Sequence, residues 1–423
     1  MTPAIKLGWT DERRPSKFRQ SGRGTLISLL LACATLWLIC YFHYKSASAR
    51  DPTSYFFDEA KGYDRTYSLK RAEQADSYLE GVNRKDVQPP KAYTEDELSS
   101  ARRLMCVGVA TIARPEQQYV SQCIGSLLEG LSAIERSEIF LILFIAHTDP
   151  SVHPIYHEPW TEKVADQILT YNVSTEEMSQ LRLFEEEHHP RNKSMFDYGY
   201  LLENCQRTGA QWSTILEDDV IARDGWYNQA RQSLQEIGRR MKNDDWLYMR
   251  MFYTESLLGW NNDEWPTYVA LSLLVMISLQ ISLHILRRHS SLVRRHLSDM
   301  DFVILVGFCV PPFIALYFMA GRVTMRPPSP GVRLMPKFGC CSQGFIFPST
   351  IVSKVIERTK KAMFEDYYVD MLLERFADAE ELARFAHFPS LLQHVGLKSS
   401  KGYGFDSHAG EIWNFGFEMY NGR

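Results

Sequence analysis

The chain has 423 residues, of which 45% are hydrophobic and 13% aromatic, so it is long and apolar enough to bury a large core and is not a disordered protein. Its 47 basic and 51 acidic residues give a formal net charge of −4, which argues against a nucleic-acid-binding protein, because phosphate recognition needs a concentrated basic surface. We expect one large domain with additional segments and no nucleic-acid partner.

Three apolar segments have the length of a membrane-spanning helix. Residues 25–44 carry no charged side chain apart from His43, and this run is longer than the roughly 7 to 15 apolar residues of a cleaved signal peptide. The pattern therefore favours an uncleaved anchor. Residues 268–286 and 302–320 lack the polar stripe of a surface helix, which favours a membrane hairpin over a buried core hairpin.

The basic residues beside these segments predict the orientation in the membrane, since such residues stay on the cytoplasmic side. They precede the first segment (Lys17, Arg19, Arg23) and fill the loop between the other two (Arg287, Arg288, Arg294, Arg295). The remaining chain should then lie in a secretory lumen or outside the cell. The predicted order is a cytosolic tail (1–24), an anchor (25–44), a lumenal stem (45–100), the first part of a folded domain (101–267), a transmembrane hairpin (268–320) with a cytosolic loop (287–301), and the second part of the domain (321–423).

Glycosylation sequons and cysteines agree with a lumenal address. Asn172-Val173-Ser174 and Asn192-Lys193-Ser194 both lie in the predicted lumenal part, although such short motifs also arise by chance. Five cysteines fall on that side of the membrane (Cys106, Cys123, Cys205, Cys340, Cys341). At most two disulfides are therefore expected, with one thiol left over, and the sequence does not indicate which cysteines pair.

The lumenal part alternates apolar strands with amphipathic helices. Strands are predicted within residues 104–113, 137–150 and 212–219, with helices within 119–134 and 195–209 between them. Continuous apolar strands that alternate with helices are typical of a parallel sheet covered on both faces, so we predict an α/β fold. Another strand is expected within 244–255, then a loop and strand within 337–349, and a helix within 364–376.

Charged residues follow several of these strands, where α/β sheets bind their ligands. Arg114 and Asp149 come after the first two strands, and Glu217, Asp218 and Asp219 end the third. Clustered carboxylates suit a hard divalent cation, Mn²⁺ or Mg²⁺. A substrate diphosphate would complete the ligand shell of that cation. The alternative interpretation is an acidic turn that caps a helix beginning near Ala222.

Several short motifs carry a resemblance to a known family. The chain resembles metal-dependent GT-A glycosyltransferases in "LEDDV", and it is similar to the branching N-acetylglucosaminyltransferases of N-glycans in "GVATIAR", "FIAHTD", "KSMFDY" and "FPSLLQHVGLKSS". These motifs cover most of residues 102–255 and 337–402. The anchor with an inserted hairpin resembles the post-GPI-attachment N-acetylgalactosaminyltransferase family. The resemblance implies a Rossmann-like GT-A domain split by a two-helix transmembrane hairpin, plus an N-terminal transmembrane anchor.

The resemblance also implies an activity. The expected protein is a multi-pass Golgi membrane enzyme, with its N-terminus in the cytosol, that transfers GalNAc from UDP-GalNAc to the mannose core of a GPI glycan. The reaction would be metal-dependent and inverting. The alternatives are an N-acetylglucosaminyltransferase acting on N-glycans and a catalytically silent membrane-anchored binding protein. The sequence leaves open which sugar is transferred, which mannose hydroxyl accepts it, and the oligomeric state.

Site residues are assigned by the same resemblance. Asp219 would bind the metal directly, Glu217 and Asp218 would hold the metal shell and the ribose, and His394 would match the C-terminal histidine ligand of the family. Arg114, Asp149 and Lys193 would contact the nucleotide. Inversion needs a general base for the acceptor hydroxyl. The family places it in "FEDYYVDMLLERF", where Asp370 is favoured and Asp366, four residues away on the same helix face, stays open.

Overall fold

The structure is a computed structural model that describes residues 17–84, 103–115, 117–241, 245–335, 340–365, 367–396 and 412–420. The chain forms two compact units. The first contains Met1–Asp58 and Gly259–Arg326, and the second contains Glu59–Leu258 and Pro327–Arg423. Each unit is thus built from two separate stretches of chain.

The elements of the described residues are numbered in chain order. The helices are α1 (Lys17–Ala47), α2 (Glu59–Gly62), α3 (Tyr67–Arg84), α4 (Val120–Leu128), α5 (Ala133–Ser137), α6 (Pro159–Val164), α7 (Thr175–Glu186), α8 (Pro190–Arg207), α9 (Trp226–Arg240), α10 (Trp265–His289), α11 (Ser291–His296), α12 (Asp299–Met319), α13 (Arg322–Met325), α14 (Ser349–Ala362), α15 (Val369–Ala379) and α16 (Phe415–Glu418). The strands are β1 (Met105–Thr111), β2 (Ile139–Ile145), β3 (Gln167–Leu169), β4 (Trp212–Glu217), β5 (Val220–Ala222), β6 (Trp246–Arg250), β7 (Gly331–Leu334), β8 (Gly344–Pro348), β9 (Ala383–Phe388) and β10 (Leu392–His394). Short 3₁₀ helices cover Pro150–Val152, Pro154–His157, Glu255–Leu258 and Asn262–Glu264.

The first unit holds three helices that are long and apolar enough to cross a membrane. These segments are Arg23–Ala47, Glu255–His289 and Asp299–Met319, with mean hydropathies of 2.2, 2.2 and 2.3. The first two contain the segments predicted at 25–44 and 268–286, and the third covers all but the last residue of the segment at 302–320. The three apolar helices are thus confirmed, and the protein has the character of a membrane protein. Within this unit the Asp51 carboxylate accepts hydrogen bonds from the backbone N–H groups of Thr53 (2.8 Å) and Thr324 (2.7 Å), which joins the chain after α1 to the chain after α12.

The second unit is built on a large, mostly parallel sheet. Its strand order is β3-β2-β1-β4-β8-β6-β9-β7. Strands β1 to β4, β6 and β9 run in one direction, and β8 and β7 run against them. The late strand β8 lies between β4 and β6, so both stretches of chain complete one sheet. The α/β class is confirmed, and two antiparallel strands modify the parallel sheet expected from the sequence.

Alternating side chains of β1 enter the two cores of this unit. Val107 and Val109 pack on one face among residues of α3, α4 and α9, whereas Cys106 lies on the other face among residues of α8, α14 and α15. Cys106 forms a disulfide with Cys205 of α8. An added Cβ at Gly108 would meet the Leu201 side chain at 2.8 Å, so glycine permits the close approach of α8. The cysteine expectation is confirmed, since Cys340 and Cys341 also pair and Cys123 remains a buried free thiol.

The predicted stem contributes to the second unit. Its helical stretch forms α3, and Arg71 of this helix is buried, with Nε donating to the carbonyl of Ala222 (3.0 Å) and Nη2 to the carbonyl of Ser126 (2.9 Å). Residues 59–84 are therefore packed into the folded unit and do not act as a free spacer. Most of the rest of the predicted stem, residues 85–100, lies outside the described residues.

Candidate active site

The acidic triplet lies at the carboxyl end of β4. Glu217 is the last residue of the strand, Asp218 and Asp219 form the turn, and the next residues enter β5. The following helix begins at Trp226, so the alternative of a helix beginning near Ala222 is wrong: Val220–Ala222 is a strand. Strand β5 pairs with β10, and this pairing supplies the partners of the turn.

Asp218 is locked by protein donors. Its Oδ2 accepts from Nη1 of Arg114 (2.7 Å) and from the hydroxyl of Thr111 (2.6 Å), and its Oδ1 accepts from Nη2 of Arg114 (2.6 Å). Thr111 in turn lies 2.9 Å from Nε2 of His153. Both oxygens of Asp218 are thus engaged, and a bidentate ion pair of this kind fixes both partners at the end of β1 and β4.

Asp219 and His394 face each other because of the short ladder between β5 and β10. His394 is opposite Val220 in that register, and the backbone N–H of Val395 donates to the carbonyl of Asp219 (2.8 Å). Oδ2 of Asp219 lies 3.6 Å from Nε2 of His394 and 3.4 Å from Nη2 of Arg114. The structure therefore brings together Asp219 and His394, the direct ligand and the histidine ligand that the resemblance implies.

The charges of this pair support each other. Burial alone would raise the pKa of Asp219, but the positive charges of the nearby His394 and Arg114 outweigh it and lower that pKa to about 2. Burial alone would lower the pKa of His394, and the facing Asp219 instead raises it. Asp219 is consequently a carboxylate at neutral pH. A bound cation would compete with the proton of His394 for the same nitrogen.

The residues present could bind a divalent cation if the substrate supplied some of the cation's ligands. Oδ1 of Asp219 is buried and has no hydrogen-bond partner among the described residues, so it is available to bind a cation. Nδ1 of His394 lies 3.1 Å from the carbonyl of Ile412, an arrangement that orients a metal-binding imidazole and leaves Nε2 toward Asp219. A Cβ at Gly396 would collide with the Asp219 carboxylate. In the described part of the chain no group of three or more His, Cys, Asp or Glu side chains forms a complete metal site, so the substrate would have to supply further ligands.

A short segment of chain, residues 340–343, joins the acidic triplet to Asp370. We call it the cysteine loop. The hydroxyl of Ser342 donates to Oε1 of Glu217, and the backbone N–H of Cys341 donates to Oδ2 of Asp370 (2.9 Å). Oδ1 of Asp370 accepts from the N–H of Met371 (2.9 Å) in the first turn of α15. Glu217 and Asp370 are therefore held by the same loop.

Arg250 supports the cysteine loop from the sheet. Its side chain is fully buried at the end of β6, and Nη1 donates to the carbonyls of Cys340 (2.6 Å) and Cys341. Nη2 donates to Oε1 of Glu374 on α15 (2.7 Å). One guanidinium thus connects the loop to the helix that carries Asp370.

Comparison with known proteins identifies the family. A profile of the GPI-N-acetylgalactosamine transferase PGAP4 family matches residues 105–393, more than half of the chain. The chain belongs to the GPI-N-acetylgalactosamine transferase PGAP4 family. It is accordingly a glycosyltransferase. The match includes Arg114, the acidic triplet and Asp370, and it stops immediately before His394.

A curated relative lies among the branching N-acetylglucosaminyltransferases. The chain is 21% identical to alpha-1,3-mannosyl-glycoprotein 4-beta-N-acetylglucosaminyltransferase A of Xenopus tropicalis over 34% of its own length. The matched part spans 28% of the relative's length. The family and the relationship inferred from the sequence motifs are both confirmed.

Other residues assigned to this transferase site lie in different surroundings. Asp149 is exposed and caps a 3₁₀ turn, accepting from the N–H (3.0 Å) and hydroxyl (2.6 Å) of Ser151. Lys193 is buried and donates to Asp197 (3.0 Å), to the hydroxyl of Tyr171 (2.8 Å) and to the carbonyl of Ala146 (2.6 Å). Their contact with the nucleotide stays a prediction. Asp366 lies outside the described residues.

The sequence did not single out three residues that shape the site of this family member. Thr111 donates to Asp218, His153 contacts the Thr111 hydroxyl, and Arg250 holds the cysteine loop. A usable signal existed for Arg250, because a charged residue inside the apolar run "WLYMRMF" must find partners in the core. A Cβ at Gly344, next to the cysteine loop, would meet Leu392 at 2.6 Å and Leu216 at 3.0 Å, so glycine there permits close packing against the core.

Proposed function

We propose that the protein is a metal-dependent, inverting glycosyltransferase of the Golgi membrane that transfers GalNAc from UDP-GalNAc to the mannose core of GPI anchors, as a side chain. The observation that carries this proposal is the family match over residues 105–393, within which the acidic triplet, Arg114 and Asp370 meet at one edge of the sheet. The substrates and the roles of the residues are both inferred from the family, and the contacts among these residues support those roles.

Asp219 and His394 are the residues that would hold Mn²⁺ or Mg²⁺. Bound there, the cation would neutralise the diphosphate as the leaving group departs. Arg114 and Asp218 set the position of the turn, and Glu217, anchored by Ser342, would complete the outer shell. Arg114 would lie near the phosphates of a donor bound beside Asp219, and its hydrogen bonds to Asp218 fix the orientation of its guanidinium.

Asp370 is the proposed general base. Two backbone N–H groups hold its carboxylate, one from Cys341 and one from Met371, and each oxygen keeps a lone pair for another donor. An acceptor hydroxyl hydrogen-bonded there could lose its proton to Asp370 while its oxygen attacks the anomeric carbon from the face opposite the departing UDP. The Golgi enzyme would thus divide the labour between Asp219 and His394 on the donor and Asp370 on the acceptor.

The way the second unit is assembled supports the proposed membrane arrangement. Strand β8 lies between β4 and β6, so the chain before residue 259 and the chain after residue 326 must fold on the same side of the membrane. The two apolar helices between them, α10 and α12, would therefore form a transmembrane hairpin that splits a GT-A domain. With the basic loop in the cytosol, that domain would be lumenal, on the side of the membrane where lipid-anchored acceptors are displayed.

Turnover by the purified full-length protein in detergent tests this function. We expect UDP release from UDP-GalNAc with a GPI-glycan acceptor, its loss on treatment with EDTA, and its return with Mn²⁺. Activity that is indifferent to EDTA would refute the metal dependence. A preference for UDP-GlcNAc and an N-glycan acceptor would instead support the alternative transferase, and no turnover with any donor would favour the silent binding protein.

A protease applied outside intact vesicles tests the topology independently. We expect cleavage only in the N-terminal tail and in residues 287–301. Cleavage within residues 101–267 would place the catalytic unit on the cytosolic side and refute the arrangement. Replacing residues 268–320 by a flexible linker should spare turnover on a soluble mannose acceptor and reduce it on a lipid-anchored one, whereas equal loss on both would make the hairpin a structural element only.

A further inference from the structure

A groove of about 490 Å³ opens on the second unit beside α8. Its walls include Phe196 and Tyr200 of α8 and Met363 after α14, and its rim includes Asn172. The described residues that line it do not include any of the candidate active-site residues. The volume is within the range of sites that hold small organic ligands, about 300–1,000 Å³, so the groove can hold an occupant of that size.

Asn172 is presented at the rim of the groove by a fixed loop. Its backbone N–H donates to the hydroxyl of Tyr200 (2.9 Å), and that hydroxyl donates to the carbonyl of Thr170 (3.2 Å). Ser174, two residues later, is the N-cap of α7 and forms a capping box with Glu177. Asn172 itself is exposed. The residues of the Asn172 sequon therefore stay in place in the folded protein while the acceptor amide remains open to solvent.

The second sequon is placed differently. Asn192 lies in the first turn of α8 and is partly buried, and its Nδ2 donates to the backbone carbonyl of Met363 (2.8 Å). A sugar attached to that nitrogen would replace one of its protons and would have to fit between α8 and the end of α14. The two sequons, equivalent in the sequence, are thus distinguished by the structure.

The walls of the groove have the chemistry that binds a pyranose ring. Phe196 and Tyr200 lie nearly parallel, with ring centroids 6.0 Å apart and an interplanar angle of 15°. Aromatic faces of this kind pack against the C–H face of a sugar, and the polar rim, which includes Arg207 and Glu203, can hydrogen-bond its hydroxyl and acetamido groups. We propose that Asn172 carries an N-linked glycan whose first GlcNAc residues lie in this groove against Phe196 and Tyr200.

Peptide mass spectrometry of the full-length protein from animal cells tests the attachment, which rests on the proposed lumenal orientation. After enzymatic deglycosylation in heavy-oxygen water, we expect the Asn172 peptide to carry the label and the Asn192 peptide to be unmodified. Asn172→Gln should shift the protein by one glycan, and Asn192→Gln should not. Label at Asn192 alone would overturn the proposal and leave the lumenal orientation intact. Label at neither site would overturn the proposal, and the protease test would then show whether the orientation fails with it.

The rate of enzymatic glycan release from the folded protein tests whether the first GlcNAc residues lie in the groove. Sugars held in the groove should be shielded, so we expect slow release from the native wild type and fast release after denaturation. Phe196→Ala and the milder Phe196→Leu should speed native release by at least about threefold. The exposed Leu183→Ala on α7, which does not line the groove, should leave it unchanged. Equal native and denatured release rates in the wild type, or no effect of either Phe196 variant, would overturn the proposal that the glycan lies in the groove.

Discussion

Arg250 is expected to hold the cysteine loop, and through it Asp370, in place. The substitution Arg250→Met tests this expectation. Its side chain is fully buried, and the substitution removes donors from the carbonyls of Cys340 and Cys341 and from Glu374. Breaking a buried ion pair by removing one partner costs about 3–5 kcal/mol. Glu374 keeps a second guanidinium, Nη1 of Arg384 at 2.6 Å, so we expect the lower end, about 3 kcal/mol.

Thermal unfolding of the detergent-solubilised full-length protein measures this loss. At about 2–4 °C per kcal/mol, the Arg250→Met variant should unfold about 6–12 °C below the wild type. Arg231→Met is the matched control. Arg231 pairs with Glu138 at 3.3 Å, but its side chain is 34% exposed, so that variant should lose no more than about 1 kcal/mol.

The functional consequence is measured well below the unfolding temperature. Arg250→Met should lower kcat, because the cysteine loop would no longer hold Asp370. The KM for the donor should rise less than kcat falls, because the loop reaches the donor side only through Glu217 in the proposed outer shell, and Asp219 is held by other contacts. Arg250→Lys keeps the charge but not the planar fork, so it should recover stability in part. An unfolding temperature equal to that of the Arg231→Met control, or a wild-type kcat, would refute the reasoning.

Three further predictions concern the base, the pH dependence and the disulfide. Asp370→Asn should lower kcat by about 10²–10⁴-fold, whereas the same loss from Asp366→Asn with an active Asp370→Asn would move the base to Asp366. Burial lowers the pKa of His387 to about 4, so on acidification the unfolded chain binds a proton before the folded one does. Stability should therefore fall as the pH drops from about 6.5 toward 4. Unfolding temperatures at pH 7 and pH 5 should differ less in His387→Gln than in the wild type, and an equal difference would contradict this. Replacing both Cys106 and Cys205 by alanine removes a cross-link between residues 99 positions apart and should cost about 2–4 kcal/mol in denaturant unfolding, while an unchanged midpoint would show that the bond contributes little.

The fold was predictable where local patterns decide it. The apolar runs around Val107, Leu143 and Leu216 became the strands of the sheet, because continuous apolar runs bounded by turns can be buried on both faces. The position of β8 was not predictable. It enters the sheet after the two apolar helices of the other unit, and no local signal in "QGFIFPS" indicates that it pairs with β4 and β6.

The position of the acidic triplet at the end of β4 was predictable, and its contacts were less so. Carboxylates at the end of β4 pointed to a cation and a phosphate, but the approach of His394 to Asp219 depends on β5 and β10, two strands of three residues each that carry no distinct sequence pattern. Likewise, the family resemblance assigned Arg114 to the nucleotide, whereas in the structure both of its Nη atoms donate hydrogen bonds to Asp218. Contacts between residues so far apart in the sequence depend on tertiary packing, which the local hydrophobic periodicity does not reveal.

The cysteines show the same limit. Their number fixed the maximum of two disulfides, and the pairing of Cys106 with Cys205 required knowledge that β1 packs against α8. Adjacent cysteines such as Cys340 and Cys341 are not an obvious pair from the sequence, yet their loop lies between Glu217 and Asp370.

Mass spectrometry of GPI glycans tests the central claim most directly. Glycans would be released from cells that lack this protein and from the same cells complemented with the wild-type chain or with Asp219→Ala, both expressed to equal levels. We predict that a HexNAc-sized increment on the mannose core returns with the wild type and not with Asp219→Ala. A GPI glycan that is the same in all three cell lines would contradict a GPI-directed transferase, and an increment restored by Asp219→Ala would contradict the metal site.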